Sequence, residues 1–159
     1  MKKDNARDIA VGGFLDFGRW KGCTREQCVE VIRCATKEEF QEYPPESVML
    51  KADEAVREAK PLLDSLEAVH RTFETLRRNK KEYIIDAVKF VYCDHPDETK
   101  SRNEISMRIR AYAMRIYADE RTVYRWLREA RILYAYHLGV HTVDRVSDWL
   151  EYGIAHSMI

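Results

Sequence analysis

Apolar positions along the chain recur at three- and four-residue intervals and never alternate over a useful length. That is the period of helices rather than strands. Leu62, Leu66, Val69, Phe73 and Leu76 follow one another at steps of four, three, four and three, the spacing of an a/d seam. Ile84, Ile85, Val88, Val91 and Tyr92 give the next segment a broad apolar face, and Ile105, Ile109, Tyr112, Ala113 and Ile116 give a third segment another. Glycine is absent between Gly22 and Gly139, in a stretch rich in Ala, Leu, Glu, Lys and Arg, all good helix formers. The pattern predicts an all-α fold.

Breakers and caps divide the pattern. Thr24 is placed to cap a short helix with Cys28, Val29 and Ile32 inward. Pro44-Pro45 marks a break, and Pro45 suits a first helical position. Pro61 ends or kinks the helix that starts near Glu46. The 62–76 seam lasts only about two heptads before Lys80. It either packs on its own neighbours, which suits so short a run, or joins two copies. "CDHPDETKS" reads as a loop, and Ser101-Arg102-Asn103-Glu104 has the form of a capping box. The first segment, "DIAVGGFLDFGRWKG", is apolar but interrupted by glycine, and its pattern assigns no element. The last has Val143, Val146, Trp149, Leu150 and Ile154 on one side behind a Thr142 cap, which predicts a short amphipathic helix. Three regions follow: a helical 1–76 of unknown role with an oligomerisation seam at 62–76 as one option, a helix-turn-helix region 77–140, and a C-terminal helix 141–159.

Composition narrows the function. A chain of 159 residues suits one domain or two small ones. No apolar run approaches membrane-spanning length, and no signal-type segment follows Met1-Lys2-Lys3, so the expected place is the cytoplasm. Cys23, Cys28, Cys34 and Cys93 form no CxxC pattern. Reduced, mostly buried thiols are expected rather than a metal site with His70 or His95. No phosphate-cradling glycine loop, nucleophile elbow or zinc-protease motif is present, so neither an enzyme nor a cofactor is expected. The net charge is zero, yet residues 1–76 hold 12 Lys and Arg against 15 Asp and Glu, and residues 77–159 hold 15 against 12. Between Lys100 and Arg131 nine basic residues face four acidic ones, a balance of +5. The asymmetry points to an anionic partner for the second half.

The residues around "YADERTVYRWLREARILYAYHLG" state which partner. Ala113 is small enough for a second helix to approach the first closely. Ile116 and Ala118 are placed to plug the angle between the two, and Asp119 to accept the first amide N–H groups of the second helix. Val123, Leu127 and Ala130 fall in one narrow arc, flanked by Trp126. At about 100° per residue, Arg121, Arg125 and Arg128 lie within about 40° of the opposite pole. Arginine on such a stripe can grip phosphate or donate two bonds to guanine in the major groove. Thr122 and Tyr124 flank it, and Lys100, Arg102, Arg108, Arg110 and Arg115 are candidates for backbone contacts. Tyr117 stands at the turn where glycine is common; a left-handed conformation there costs about 1–2 kcal/mol.

The segment "YIIDAVKFVYCDHPDETKSRNEISMRIRAYAMRIYADERTVYRWLREARILYAYHLGV" resembles phage transcriptional regulators of the ArpU/RinA type, which are similar in turn to the DNA-binding region 4 of sigma factors. The likeness spans about residues 83–140. It implies a sigma-region-4-like helix-turn-helix in an all-α protein of phage or prophage origin, with Glu120–Tyr136 as the helix that reads double-stranded DNA. It also implies RNA polymerase as a partner, and such proteins commonly act as homodimers. A small-terminase-like DNA-packaging subunit and a helical protein-protein adaptor stand as alternatives.

Overall fold

The computed structural model describes residues 3–97, 101–139, 153 and 156–158. Among the described residues seven α-helices follow in order: α1 (Lys3–Arg19), α2 (Arg25–Glu39), α3 (Pro45–Glu58), α4 (Lys60–Arg78), α5 (Glu82–Val88), α6 (Arg102–Ile116) and α7 (Glu120–Leu138). A π-helical turn, Lys89–Cys93, extends α5. The described residues contain no strand, and none of their helices is long and apolar enough to cross a membrane. The tail expected at 141–159 lies almost wholly outside the described residues.

Local chemistry sets most boundaries. Thr24 and Gln27 form a reciprocal capping box at the start of α2, satisfying two amide donors that helix geometry leaves open. Pro45 opens α3. Pro61 falls in the first turn of α4 rather than inside a longer helix, where its missing N–H costs nothing. The chain therefore breaks at Ala59.

The α4 seam is filled from within the chain. Leu66, Val69, Phe73 and Leu76 are all buried, and Leu62 packs at the edge of the same cluster. The neighbours of α4 are α1, α2, α3, α5 and α7. No apolar seam at 62–76 is left over for a second copy.

The first segment is helix α1, where the sequence pattern gave no assignment. Its glycines act as points of close approach rather than as breakers. A Cβ on Gly13 would overlap the ring and hydroxyl of Tyr134, and one on Gly18 would overlap the backbone of Cys93. Both remain helical despite glycine's entropic penalty, because those contacts let α1 sit tightly on α7 and the π-turn. Phe14 stacks on Tyr92 at 5.7 Å between centroids and lies 5.5 Å from Tyr134. The Tyr134 hydroxyl meets Ser65 of α4 at 2.8 Å. One core thus runs from α1 and α4 through α5 into α7, crossing the boundary drawn at residue 77.

Two of the four thiols are buried, Cys28 and Cys93. Burial pushes the Cys93 thiol up to about 12, with Asp94 adding to the shift. Cys34 is exposed and lies 3.3 Å from Glu30, so that thiol departs from the expected burial. His70 uses Nε2 on the Cys23 carbonyl at 3.0 Å and packs edge-on to Phe17.

Candidate nucleic-acid interface

The arginine-bearing helix is held at both ends. Asp119 adopts extended backbone and its carboxylate accepts the Arg121 N–H at 3.3 Å, a cap that also complements the helix dipole. Gly139 closes the other end in a left-handed conformation, the usual glycine C-cap. Between them Val123, Leu127, Ala130, Leu133 and Tyr134 are buried. Trp126 is half-buried at the margin, edge-on to Tyr83 at 4.9 Å.

With that arc pinned, the opposite arc faces solvent. Arg121, Arg125 and Arg128 are all exposed. Neither the Arg121 nor the Arg125 guanidinium has a carboxylate partner among the described residues. Tyr124 is also exposed, with its hydroxyl 3.5 Å from Ser106 on α6, whereas Thr122 is half-buried. A free guanidinium presents its donors as a planar fork matched to phosphate or to the guanine edge, and this face sets two such forks one turn apart.

The turn before α7 takes the strained form. Tyr117 sits at φ 57°, ψ 40°, while its side chain is 98% exposed. Its conformation lets the Ala118 N–H reach the Ala113 carbonyl at 2.9 Å, which closes α6 as a glycine would. Ile116 does not plug the interhelical angle. It is exposed at the end of α6, and buried Tyr112 and Ala113 fill the contact instead.

The remaining candidates divide. Arg102 is exposed in the first turn of α6, behind a Ser101 cap that accepts the Glu104 N–H at 3.1 Å. Arg115 is exposed and lies over the Phe90 ring at 5.7 Å. Lys100 lies outside the described residues. Arg110 is committed to Glu120 at 3.1 Å, tying α6 to the start of α7. Arg108 turns inward and donates to the Phe90 carbonyl at 3.1 Å. The π-turn explains this. The Asp94 N–H bonds five residues back to Lys89 at 2.8 Å, so the Phe90 carbonyl loses its ordinary partner and Arg108 supplies one. Arg108, expected as a backbone contact, thus has a structural partner within the chain.

Two further contacts brace the site without any signal in the sequence pattern. Lys81 and Glu129 pair at 3.0 Å with both side chains largely covered, and Arg131 donates to the Tyr92 hydroxyl at 3.2 Å. Each partner is tens of residues away, beyond the reach of helical periodicity.

No group of three or more potential metal ligands occurs among the described residues. Comparison with protein-family models, with curated proteins and with solved structures finds no match.

Proposed function

We propose that this chain is a sequence-specific DNA-binding transcriptional regulator of phage or prophage type, with α5 to α7 arranged as a sigma-region-4-like helix-turn-helix. In this reading α7 enters the major groove. Arg121, Arg125 and Arg128 read guanine edges or hold phosphate, Tyr124 and Thr122 flank them, and Arg102 and Arg115 grip the adjacent backbone. RNA polymerase is the partner that the family resemblance implies.

The observation that supports the proposal is the exposed arginine face of a helix whose opposite face is fully buried. Two of its guanidinium groups have no carboxylate to satisfy them among the described residues. Like charges on one face repel, and a polyanion removes that penalty.

Selection of bound sequences from random duplex DNA tests the reading and yields the site together. Enrichment of a defined motif is expected, with affinity falling steeply as salt rises. Arg125→Ala weakens binding to that motif by about 1–3 kcal/mol and leaves the fold intact. A pool that stays random, together with an affinity insensitive to salt, would refute the proposal.

A further inference from the structure

A second basic site lies where the end of α7 meets the last turns of α4. Arg71, Glu74, Thr75, Arg78, Tyr136 and His137 line an open pocket of about 540 Å³ there, within the usual size of small-molecule sites. Two guanidinium groups and an imidazole share it with one carboxylate, Glu74. Arg71 gives one nitrogen to Glu67 at 2.9 Å, which leaves most of its five donors. Arg78 is exposed and makes no ion pair among the described residues.

His137 is fixed in the wall of this pocket. Its Nε2 lies 3.1 Å from Thr75 Oγ1, and the Thr75 hydroxyl donates its own proton to the Arg71 carbonyl at 2.9 Å. Nε2 therefore carries a proton and donates it to Thr75. A second proton can enter only at Nδ1, and it makes the ring a cation. Burial opposes that charge most, then Arg71, His156 and Arg78, while Glu74 favours it. The pocket thus holds more positive potential than its own carboxylate balances.

We propose that this pocket binds a phosphate group, held by the Arg71 and Arg78 guanidinium groups on the α4 side, with Tyr136 and His137 forming the α7 side. Planar guanidinium forks match phosphate oxygens in pairs, and a dianion relieves the mutual repulsion of the cations. The bound anion and the second proton on His137 attract each other, so each strengthens the other's binding by the same factor. The site therefore holds its anion more tightly as pH falls through the His137 pKa, which lies below the ordinary 6.5. None of these residues is one of the α7 arginines proposed to read DNA, so the inference stands apart from that reading.

Calorimetric titration of the full chain with sulfate at constant ionic strength supplies the test. Sulfate keeps both charges across the pH range, whereas a phosphate group titrates near neutrality; inorganic phosphate repeats the measurement at fixed pH. Saturable binding is expected, about tenfold tighter near pH 5 than near pH 8, as a His137 shift of about one unit gives. Arg78→Gln is expected to weaken binding about tenfold or more, with unchanged circular dichroism because the side chain is exposed. Glu74→Gln should tighten binding about two- to fivefold near pH 8, a gain that misfolding cannot produce. His137→Gln should keep the binding and lose its pH dependence. Absence of saturable binding overturns the proposal, as does binding indifferent to Arg78→Gln; binding by the unaltered chain that ignores pH overturns the part given to His137. The slope of log affinity for the selected DNA motif against log salt separates two sources of the phosphate. A fall of about 1 in Arg78→Gln makes it a phosphate of the DNA backbone, and an unchanged slope makes it part of a free phosphorylated molecule. The sulfate titration needs no DNA, so failure of this site and failure of the DNA reading are told apart.

Discussion

Gly12 and Gly13 are adjacent in α1, and the same substitution at each should act in opposite directions. A Cβ at Gly12 meets nothing within 4 Å. Gly12→Ala therefore removes only the glycine penalty in a helix and should stabilise by about 0.5–1 kcal/mol. A Cβ at Gly13 meets Tyr134, a fully buried ring whose hydroxyl bonds Ser65 at 2.8 Å. The ring cannot rotate away without disturbing Phe14, 5.5 Å off between centroids. Overpacking of this kind costs about 1–3 kcal/mol, and losing the buried hydrogen bond adds about 1 kcal/mol. Against the propensity gain, Gly13→Ala should destabilise by about 1–3 kcal/mol. For a chain of this length that is a melting-temperature fall of about 2–12 °C, against a rise of about 1–4 °C for Gly12→Ala. Urea denaturation followed by circular dichroism measures both. A double variant with Tyr134→Leu should recover part of the Gly13→Ala loss, because the shorter side chain vacates the contact. If Gly13→Ala proves as stable as Gly12→Ala, α1 does not lie against α7, and the packing argued above is mistaken.

Three further outcomes follow from particular contacts. Tyr117→Gly should stabilise the fold by about 1 kcal/mol, since the left-handed turn at this position penalises any residue with a Cβ; thermal melting reads it, and a loss of stability would mean the tyrosine side chain is held by contacts. Arg108→Ala should lower the melting temperature by removing the Phe90 carbonyl's partner, while the slope of log affinity for DNA against log salt stays unchanged; Arg102→Ala should do the reverse and reduce that slope by about 1. His137, whose Nε2 meets Thr75 Oγ1 at 3.1 Å, has its pKa lowered by burial first and then by Arg71, His156 and Arg78. The unfolded chain then takes up a proton before the folded one, so this residue's contribution to stability falls as pH drops through about 6.5; His137→Gln should flatten that fall in urea titrations at stepped pH.

Much of the second half was legible because its signals are local. The Asp119 and Ser101 caps, the buried Val123–Leu127–Ala130 arc and the exposed arginines all follow from spacing within one helix. So does the left-handed Tyr117, whose place in the turn marks it although its residue type does not. What escaped the pattern depends on partners far along the chain. The glycines of α1 read as breakers until Tyr134 and Cys93 are seen against them. Arg108 looks like any outward arginine until the π-turn opens the Phe90 carbonyl to it. Ile116 has the right period to be buried but falls in the last position of α6 and is exposed. The α4 seam shows the same limit in reverse: heptad spacing marks the apolar stripe but does not say whose side chains fill it.

Helix α7 belongs to two neighbourhoods at once. Its first three turns carry Arg121, Arg125 and Arg128, while Leu133 and Tyr134 further along are embedded among α1 and α4. A fragment starting at residue 77 would lay those side chains bare together with Val91 and Tyr92. The arginine-bearing helix is no detachable cassette. Transplanting it to another protein would require carrying the N-terminal bundle along, and a lesion in α1 would be felt as a tilt of the arginines some twenty ångströms away, roughly the length of thirteen helical residues.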